Sequence, residues 1–209
     1  MSSKIILPSA YFAPIMYFGV LVNNKCIIDS GENFVRRSIR NHCNIYTSNG
    51  KLKLSIPVKK NTDKKITKIK ICYNENWQKK HWNSIITNYN SSPFFKYYKN
   101  ELYDCFIEKE TYLFSFTQKI NKKILKFLNY ENNVLKTLIY DKKGEFIDLR
   151  NFSWDSISLK KYDQVFYNKS AFINNLSIID LIFNLGPESQ NYLKNINKTA
   201  HINDIGIIS

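Results

Sequence analysis

Apolar residues fall on alternate positions on both sides of Ser48-Asn49-Gly50, with Ile39, Cys43 and Ile45 before it and Leu52, Leu54, Ile56 and Val58 after it. A period of two sends successive side chains to opposite faces of a strand, and Asn-Gly is a turn that closes two strands into a hairpin. One face of this hairpin must therefore lie in a core, because a slip of one residue would turn its apolar set to water. If the first strand is regular from Ser38 to Tyr46, then Arg36, Ser38, Arg40, His42 and Asn44 share its other face. Guanidinium forks on such a face suit phosphate or carboxylate.

Around the hairpin, Lys4 to Leu7, Cys26 to Asp29 and Ile66 to Tyr73 read as further strands. The period then changes. From Trp77 the apolar positions Trp77, His81/Trp82, Ile85/Ile86 and Tyr89 follow a helical stripe, with Asn74 or Asn76 as its cap. Ser92-Pro93 offers a cap and a first-turn proline to a second helix through Phe106, and a third follows Thr111 to about Leu128. Val134 to Tyr140 reads as a strand. Ser177 opens a helix that Gly186-Pro187 stops, and another runs to about Leu193. These readings predict one domain over residues 1–209, of α/β (or α+β) class. Its strand-rich N-terminal part includes the hairpin, its central and C-terminal parts are helical, and a tail from about Asn195 to Ser209 is weakly ordered.

The charge is 31 Lys+Arg against 17 Asp+Glu, a net +14, yet only four of the 31 are arginine. Lysine, asparagine and isoleucine share A/T-rich codons, so part of this excess reflects base composition. The lysines are scattered among acids and aromatics with no aromatic RNA-stacking motif, and nucleic acid is not an expected partner. An apolar fraction of 44% excludes a disordered basic tail. No apolar run approaches the ~20 residues of a membrane-spanning helix, which argues for the cytoplasm. Cys26, Cys43, Cys72 and Cys105 are too far apart for a zinc-knuckle pairing, so reduced and mostly buried thiols are expected, with no metal. Glycine-rich phosphate loops, nucleophile elbows and HExxH are all absent, and no cofactor is expected.

What remains is spacing. His81 lies four residues after Trp77 and eight before Tyr89, on one helical face, where it is either a general acid or base in an aromatic-lined cleft or a packed core histidine. Asp180 after Ser177 reads as helix capping, and Glu188 as an acid favoured at a helix N-terminus.

Four blocks carry a resemblance. They are Tyr11-Phe-Ala-Pro-Ile-Met-Tyr-Phe18; Arg40-Asn-His-Cys43 with Asn49-Gly50 and Leu54-Ser-Ile-Pro-Val58; Trp77…His81…Tyr89…Ser92-Pro-Phe-Phe95; and Leu176-Ser-Ile-Ile-Asp-Leu-Ile-Phe-Asn184 with Gly186-Pro-Glu188. In order and spacing the chain resembles the WbqC-like family over residues 5–193, most closely in its Bacteroidetes form. Two departures stand out. Leu7-Pro8-Ser9 replaces a His-Gln-Pro-like motif after the first strand, and His42 stands where an Arg-Asn-Arg pattern would place arginine.

The resemblance implies a cytoplasmic transferase of O-antigen or other surface-polysaccharide (lipopolysaccharide) biosynthesis, acting on a nucleotide-linked (amino) sugar by acyl or aminoacyl transfer. On that reading Arg40 and Arg37 grip a phosphate, with His42 beside them. Tyr11 and Trp77 pack on sugar or base, His81 carries the proton, and Asn41 donates to the oxyanion. Arg40 and His81 must then line one pocket. The alternative, favoured by the missing N-terminal histidine, is a non-catalytic binding or scaffold protein that joins other envelope-biosynthesis proteins.

Overall fold

Ile5, Ile6 and Leu7 form an uninterrupted apolar run, and a strand apolar on both faces belongs in the middle of a parallel sheet. A computed structural model describes residues 4–60, 63–130, 146–154, 157–166 and 171–199, and it places β1 (Lys4–Leu7) there. Its neighbours are β2 (Cys26–Ile28) and β5 (Phe146–Asp148), both parallel to it, with Ile6 opposite Ile27 on one side and Asp148 on the other.

Parallel neighbours need a crossover, and α1 (Ile15–Asn23) supplies it between β1 and β2. Its residues Ile15 to Leu21 are all buried, which is why no one-sided stripe marks it in the sequence. Its first N–H groups are capped from elsewhere in the chain: Ile15 donates to the Leu176 carbonyl and Met16 to Asn175 Oδ1.

The hairpin is present as β3 (His42–Thr47) and β4 (Gly50–Ser55), paired Cys43 to Leu54 and Asn44 to Lys53. Cys43, Ile45 and Leu54 point into the core, whereas Leu52 near the hairpin tip is 38% exposed. The first strand starts later than its alternation suggests. Residues 38–41 form a turn in which Asn41 and His42 donate to the Ser38 carbonyl, so Arg40 does not share a strand face with His42 and Asn44. Ile66 to Tyr73 is likewise not a strand. It forms a 3-10 turn (Ile66–Lys68) followed by isolated bridges from Ile71 to Val58 and from Lys70 to Tyr112.

Helix α2 (Trp77–Tyr89) is capped by Asn76, whose side chain accepts from the Lys79 N–H. Helix α3 (Phe95–Ile107) begins after Phe94 rather than Ser92, and the buried Ser92 hydroxyl caps nothing. Helix α4 (Leu113–Phe127) packs on the 3-10 turn and α3. Helix α5 (Ile178–Leu185) is buried from Ile178 to Asn184 and touches β3, α1, α3 and α6. Its N-cap Ser177 makes no side-chain cap, and the first turn is held instead by Ile178 N–H on the Ala13 carbonyl. After Gly186, α6 (Glu188–Thr199) runs six residues beyond Leu193 and seats Ile196 against Gly19 of α1. The Val134 to Tyr140 reading and residues 200–209 lie outside the described residues. The result is one domain of mixed helix and strand, strand-rich at its N-terminal end and helical in its centre and C-terminal part.

Candidate functional site

Opposed residues of an antiparallel pair share a face, so His42, Asn44, Lys53 and Ser55 present themselves together on the side of the hairpin away from Cys43 and Leu54. The turn before β3 and the loop after β5 close over this face. Between them lies a cleft of about 310 Å³. Its cationic lining is Arg37, Arg40, Lys53 and Arg150, with His42 among them, and Phe152 and Trp154 form an aromatic wall. That wall is firmly held, since Trp154 packs on Phe152 edge-to-face at 5.0 Å and on Tyr17 at 5.3 Å.

The four cations differ in what is left of their charge. Arg40 is buried and gives its guanidinium to Glu32, whose other oxygen accepts the Ser9 N–H at 2.8 Å. A further Arg40 N–H reaches the Arg150 carbonyl at 3.1 Å. Arg150 in turn pairs with Asp29 at 2.7 Å and Asp148 at 2.6 Å, which holds the Asp148 carboxyl below its usual range. Arg37 and Lys53, by contrast, form no ion pair among the described residues. Their positive field reaches His42: partial burial first, then Lys53 and Arg37, push its imidazole below the usual 6.5. His42 Nδ1 also lies 3.3 Å from Ser55 Oγ. Arg37 occupies the left-handed region at φ 56°, a conformation that costs a branched or long side chain about 1–2 kcal/mol and is kept where the surrounding structure requires it.

The cleft can thus hold an anion against two uncompensated cations. The half-buried Phe152 ring, backed by the buried Trp154, is the aromatic surface a planar group could meet, and the His42 imidazole, its pKa lowered, is placed to accept a proton.

Of the residues singled out by sequence, Arg37, Arg40 and His42 come together in this cleft. Tyr11, Trp77 and His81 do not line it. They form a separate buried cluster in which the Tyr11 hydroxyl meets His81 Nδ1 at 2.9 Å and Trp77 stands edge-on to His81 at 5.1 Å. His81 also hydrogen-bonds the Ser55 backbone, and burial drives its pKa down to about 4. Asn41 is buried beside the hairpin, and its amide N–H₂ is already given to the Ile56 carbonyl at 3.0 Å. That bond uses one of its two N–H donors, Oδ1 is unpaired, and Asn41 is not among the residues that line the cleft. Asp180 is more than a cap. It is fully buried and receives the hydroxyls of Tyr89 and Tyr162 and the Gln164 amide, and burial lifts its carboxyl to about 6 despite those donors.

Lys53, Arg150, Phe152 and Trp154 were not singled out by sequence. One signal was available for Arg150: three of the four arginines in a lysine-biased chain line this cleft. Where base composition favours lysine, the positions that keep arginine are those that use its fork.

The model of the WbqC-like protein family matches residues 9–147 and 140–192. The chain belongs to the WbqC-like protein family. Every residue of the cleft falls inside the matched region of this WbqC-like protein. Neither a curated protein nor a solved structure matches the chain. No helix among the described residues is long and apolar enough to cross a membrane.

Proposed function

We propose that this WbqC-like protein binds a nucleotide-linked (amino) sugar in the cationic cleft. It acts there as a cytoplasmic transferase, moving an acyl or aminoacyl group onto the sugar amine in surface-polysaccharide biosynthesis. The observation that carries the reading is the pairing of two uncompensated cations, Arg37 and Lys53, with a neutral His42 in a cleft walled by Phe152 and Trp154. Phosphate would be gripped by Arg37 and Lys53, and the half-buried Phe152 ring would meet the base. The sugar amine attacks the carbonyl of an activated acyl donor, an ester, thioester or acyl phosphate; the amide C–N bond forms, the donor's C–O or C–S bond breaks, and the alcohol, thiol or phosphate departs. The base for the ammonium proton in this cleft is His42 rather than His81. Arg40 holds the floor through Glu32 instead of meeting the ligand with a free charge.

The test is isothermal titration of the purified protein with UDP, GDP, dTDP and CMP, with short RNA as control. A nucleotide that binds, and loses at least tenfold in affinity with Arg37→Ala or Lys53→Ala while the melting temperature holds, supports the reading. Failure of all four to bind, or binding indifferent to both substitutions, overturns it.

A second reading, a non-catalytic partner of envelope-assembly proteins, has one observation in its favour. Tyr103 and Ile107, one turn apart on α3, are 44% and 59% exposed, and Tyr103 packs on Trp82 of α2 at 5.0 Å. Retention of envelope-biosynthesis proteins that Tyr103→Ser/Ile107→Ser abolishes, with no nucleotide binding, would favour it.

A further inference from the structure

A second cleft, of about 570 Å³, shares Arg150 with the first. It is bounded by residues 30–33 after β2 and by Lys65 and Thr67 at the 3-10 turn. The two clefts are also tied through the floor, because Glu32 of the second is the buried partner of Arg40 in the first.

The linings differ in chemistry. In the second cleft each charged group is already engaged. Lys65 Nζ donates to the Gly31 carbonyl at 2.8 Å, Glu32 is bound by Arg40 and the Ser9 N–H, and Arg150 is held by Asp29 and Asp148. No aromatic or large aliphatic side chain belongs to this lining. What it offers are the hydroxyls of Ser30 and Thr67 and the amide of Asn33, none of which is bonded to another described residue. Hydroxyl and amide groups each donate and accept, and they match a neutral polyhydroxylated ligand. An anion would find no uncompensated cation here, and a base no stacking face.

We infer that the second cleft is a subsite for the glycosyl portion of the ligand whose phosphate occupies the first cleft, with Arg150 as the partition where the two portions join. The inference rests on the nucleotide-sugar reading of the first cleft and adds Asn33 and Thr67 as sugar-selecting residues. Asn33 is exposed and Thr67 half-buried, so their side chains can be changed without opening the core. The bridge between Asn33 and Lys65 runs through the backbone and survives substitution at Asn33.

The experiment compares UDP, dTDP and GDP, each with its hexose or N-acetylhexosamine conjugate, by isothermal titration on the full chain and on Asn33→Ala/Thr67→Val. The expected result is that at least one conjugate binds the unmodified protein tenfold or more tightly than its parent diphosphate. In the double variant that ratio falls toward one, while affinity for the parent diphosphate stays within twofold and the melting temperature is unchanged. A conjugate advantage that persists in the variant, or no advantage for any conjugate, overturns the subsite and leaves the first cleft standing. Absence of binding by every diphosphate, every conjugate and CMP overturns the reading of the first cleft, and the subsite with it. A single-residue control, Arg37→Ala, separates the two: it weakens diphosphate and conjugate alike and leaves their ratio intact.

Discussion

The Tyr11 hydroxyl and His81 Nδ1 lie 2.9 Å apart in a cluster closed by Trp77 and Phe116. The ring also bonds the Ser55 backbone, which favours the protonated imidazole, but burial outweighs it and keeps the ring neutral, with Nδ1 accepting from Tyr11. Burial lowers its pKa to about 4, so between pH 4 and 6.5 the unfolded chain holds a proton that the folded chain refuses. The His81 contribution to stability is therefore complete above pH 6.5 and is lost as pH falls toward 4, a loss of about 3 kcal/mol at 1.36 kcal/mol per pKa unit. Asp180 acts in the opposite direction: its carboxyl, raised to about 6, keeps a proton that the unfolded chain releases above its usual 3.8. The comparison that isolates His81 is urea unfolding of the unmodified protein and His81→Gln from pH 4.5 to 7. The stability difference should widen as pH rises, and a flat difference would refute this account. Nucleotide affinity should not change, because His81 is outside the cleft.

Glu32 and Arg40 form an ion pair with side chains only 2% and 4% exposed. Breaking a buried pair strands a charge at a cost of about 3–5 kcal/mol, whereas replacing both members with apolar groups of similar size is often neutral. Arg40→Met and Glu32→Leu should each lower the denaturant midpoint sharply, and the double variant should recover much of the loss. If Arg40→Met alone left stability intact while abolishing nucleotide binding, Arg40 would be a ligand-binding residue and not a floor.

The hairpin was legible because its period of two is local and its turn chemistry explicit, and the α2 stripe because Trp77, Ile85 and Tyr89 face one core. Helix α1 was not, since a helix buried all round has no polar face to mark its period. The turn over residues 38–41 was hidden by a conflict of levels. Local alternation asked for strand, but the Arg40 guanidinium is drawn inward by Glu32, eight residues earlier, and such a pairing has no local signature. The cleft was half legible. Arg37 and His42 stand near each other in sequence, while Arg150, Phe152 and Trp154 arrive from more than a hundred residues away by parallel pairing of β5 with β1. His81 was ambiguous because helical spacing specifies a face without saying whether that face meets a cleft or a core.

Arg37 combines a left-handed backbone with a position in the cleft. Glycine adopts φ 56° freely, so Arg37→Gly removes about 1–2 kcal/mol of strain and returns about 0.5–1 kcal/mol through a more flexible unfolded chain. The variant should be more stable by about 0.5–1 kcal/mol and should lose anion affinity, whereas Arg37→Ala should lose affinity with no gain. Paired denaturation and titration experiments check both signs, and a destabilised Arg37→Gly would show that the arginine side chain itself supports the turn.

Gly186 ends α5 at φ 52°, and a Cβ there would lie 2.4 Å from the Phe94 ring. Gly186→Ala should cost about 2–5 kcal/mol, adding left-handed strain to overpacking. In a Phe94→Ala background the ring contact is gone and only the backbone cost remains, so a double-mutant cycle by chemical denaturation should show a coupling of at least 1 kcal/mol. A coupling near zero would mean that the ring moves aside without cost.

His42 provides the pH test of the cleft itself. In the free protein its pKa is below 6.5 because of partial burial and the field of Lys53 and Arg37. An anion seated among these groups offsets the two cations and stabilises the imidazolium, so binding must raise the His42 pKa. By linkage, the anion binds more tightly as pH falls from the bound-state pKa to the free-state pKa, and its affinity levels off outside that window. Sulfate is the appropriate probe, because it carries two charges at every pH of interest and contributes no titration of its own. The His42 ring resonances, followed by NMR from pH 4.5 to 8, should titrate at higher pH with saturating sulfate than without it. In His42→Gln the sulfate affinity should lose this pH dependence while keeping the contribution of Arg37 and Lys53. An unshifted His42 titration, with sulfate bound, would place the anion elsewhere and remove His42 from the proposed proton transfer.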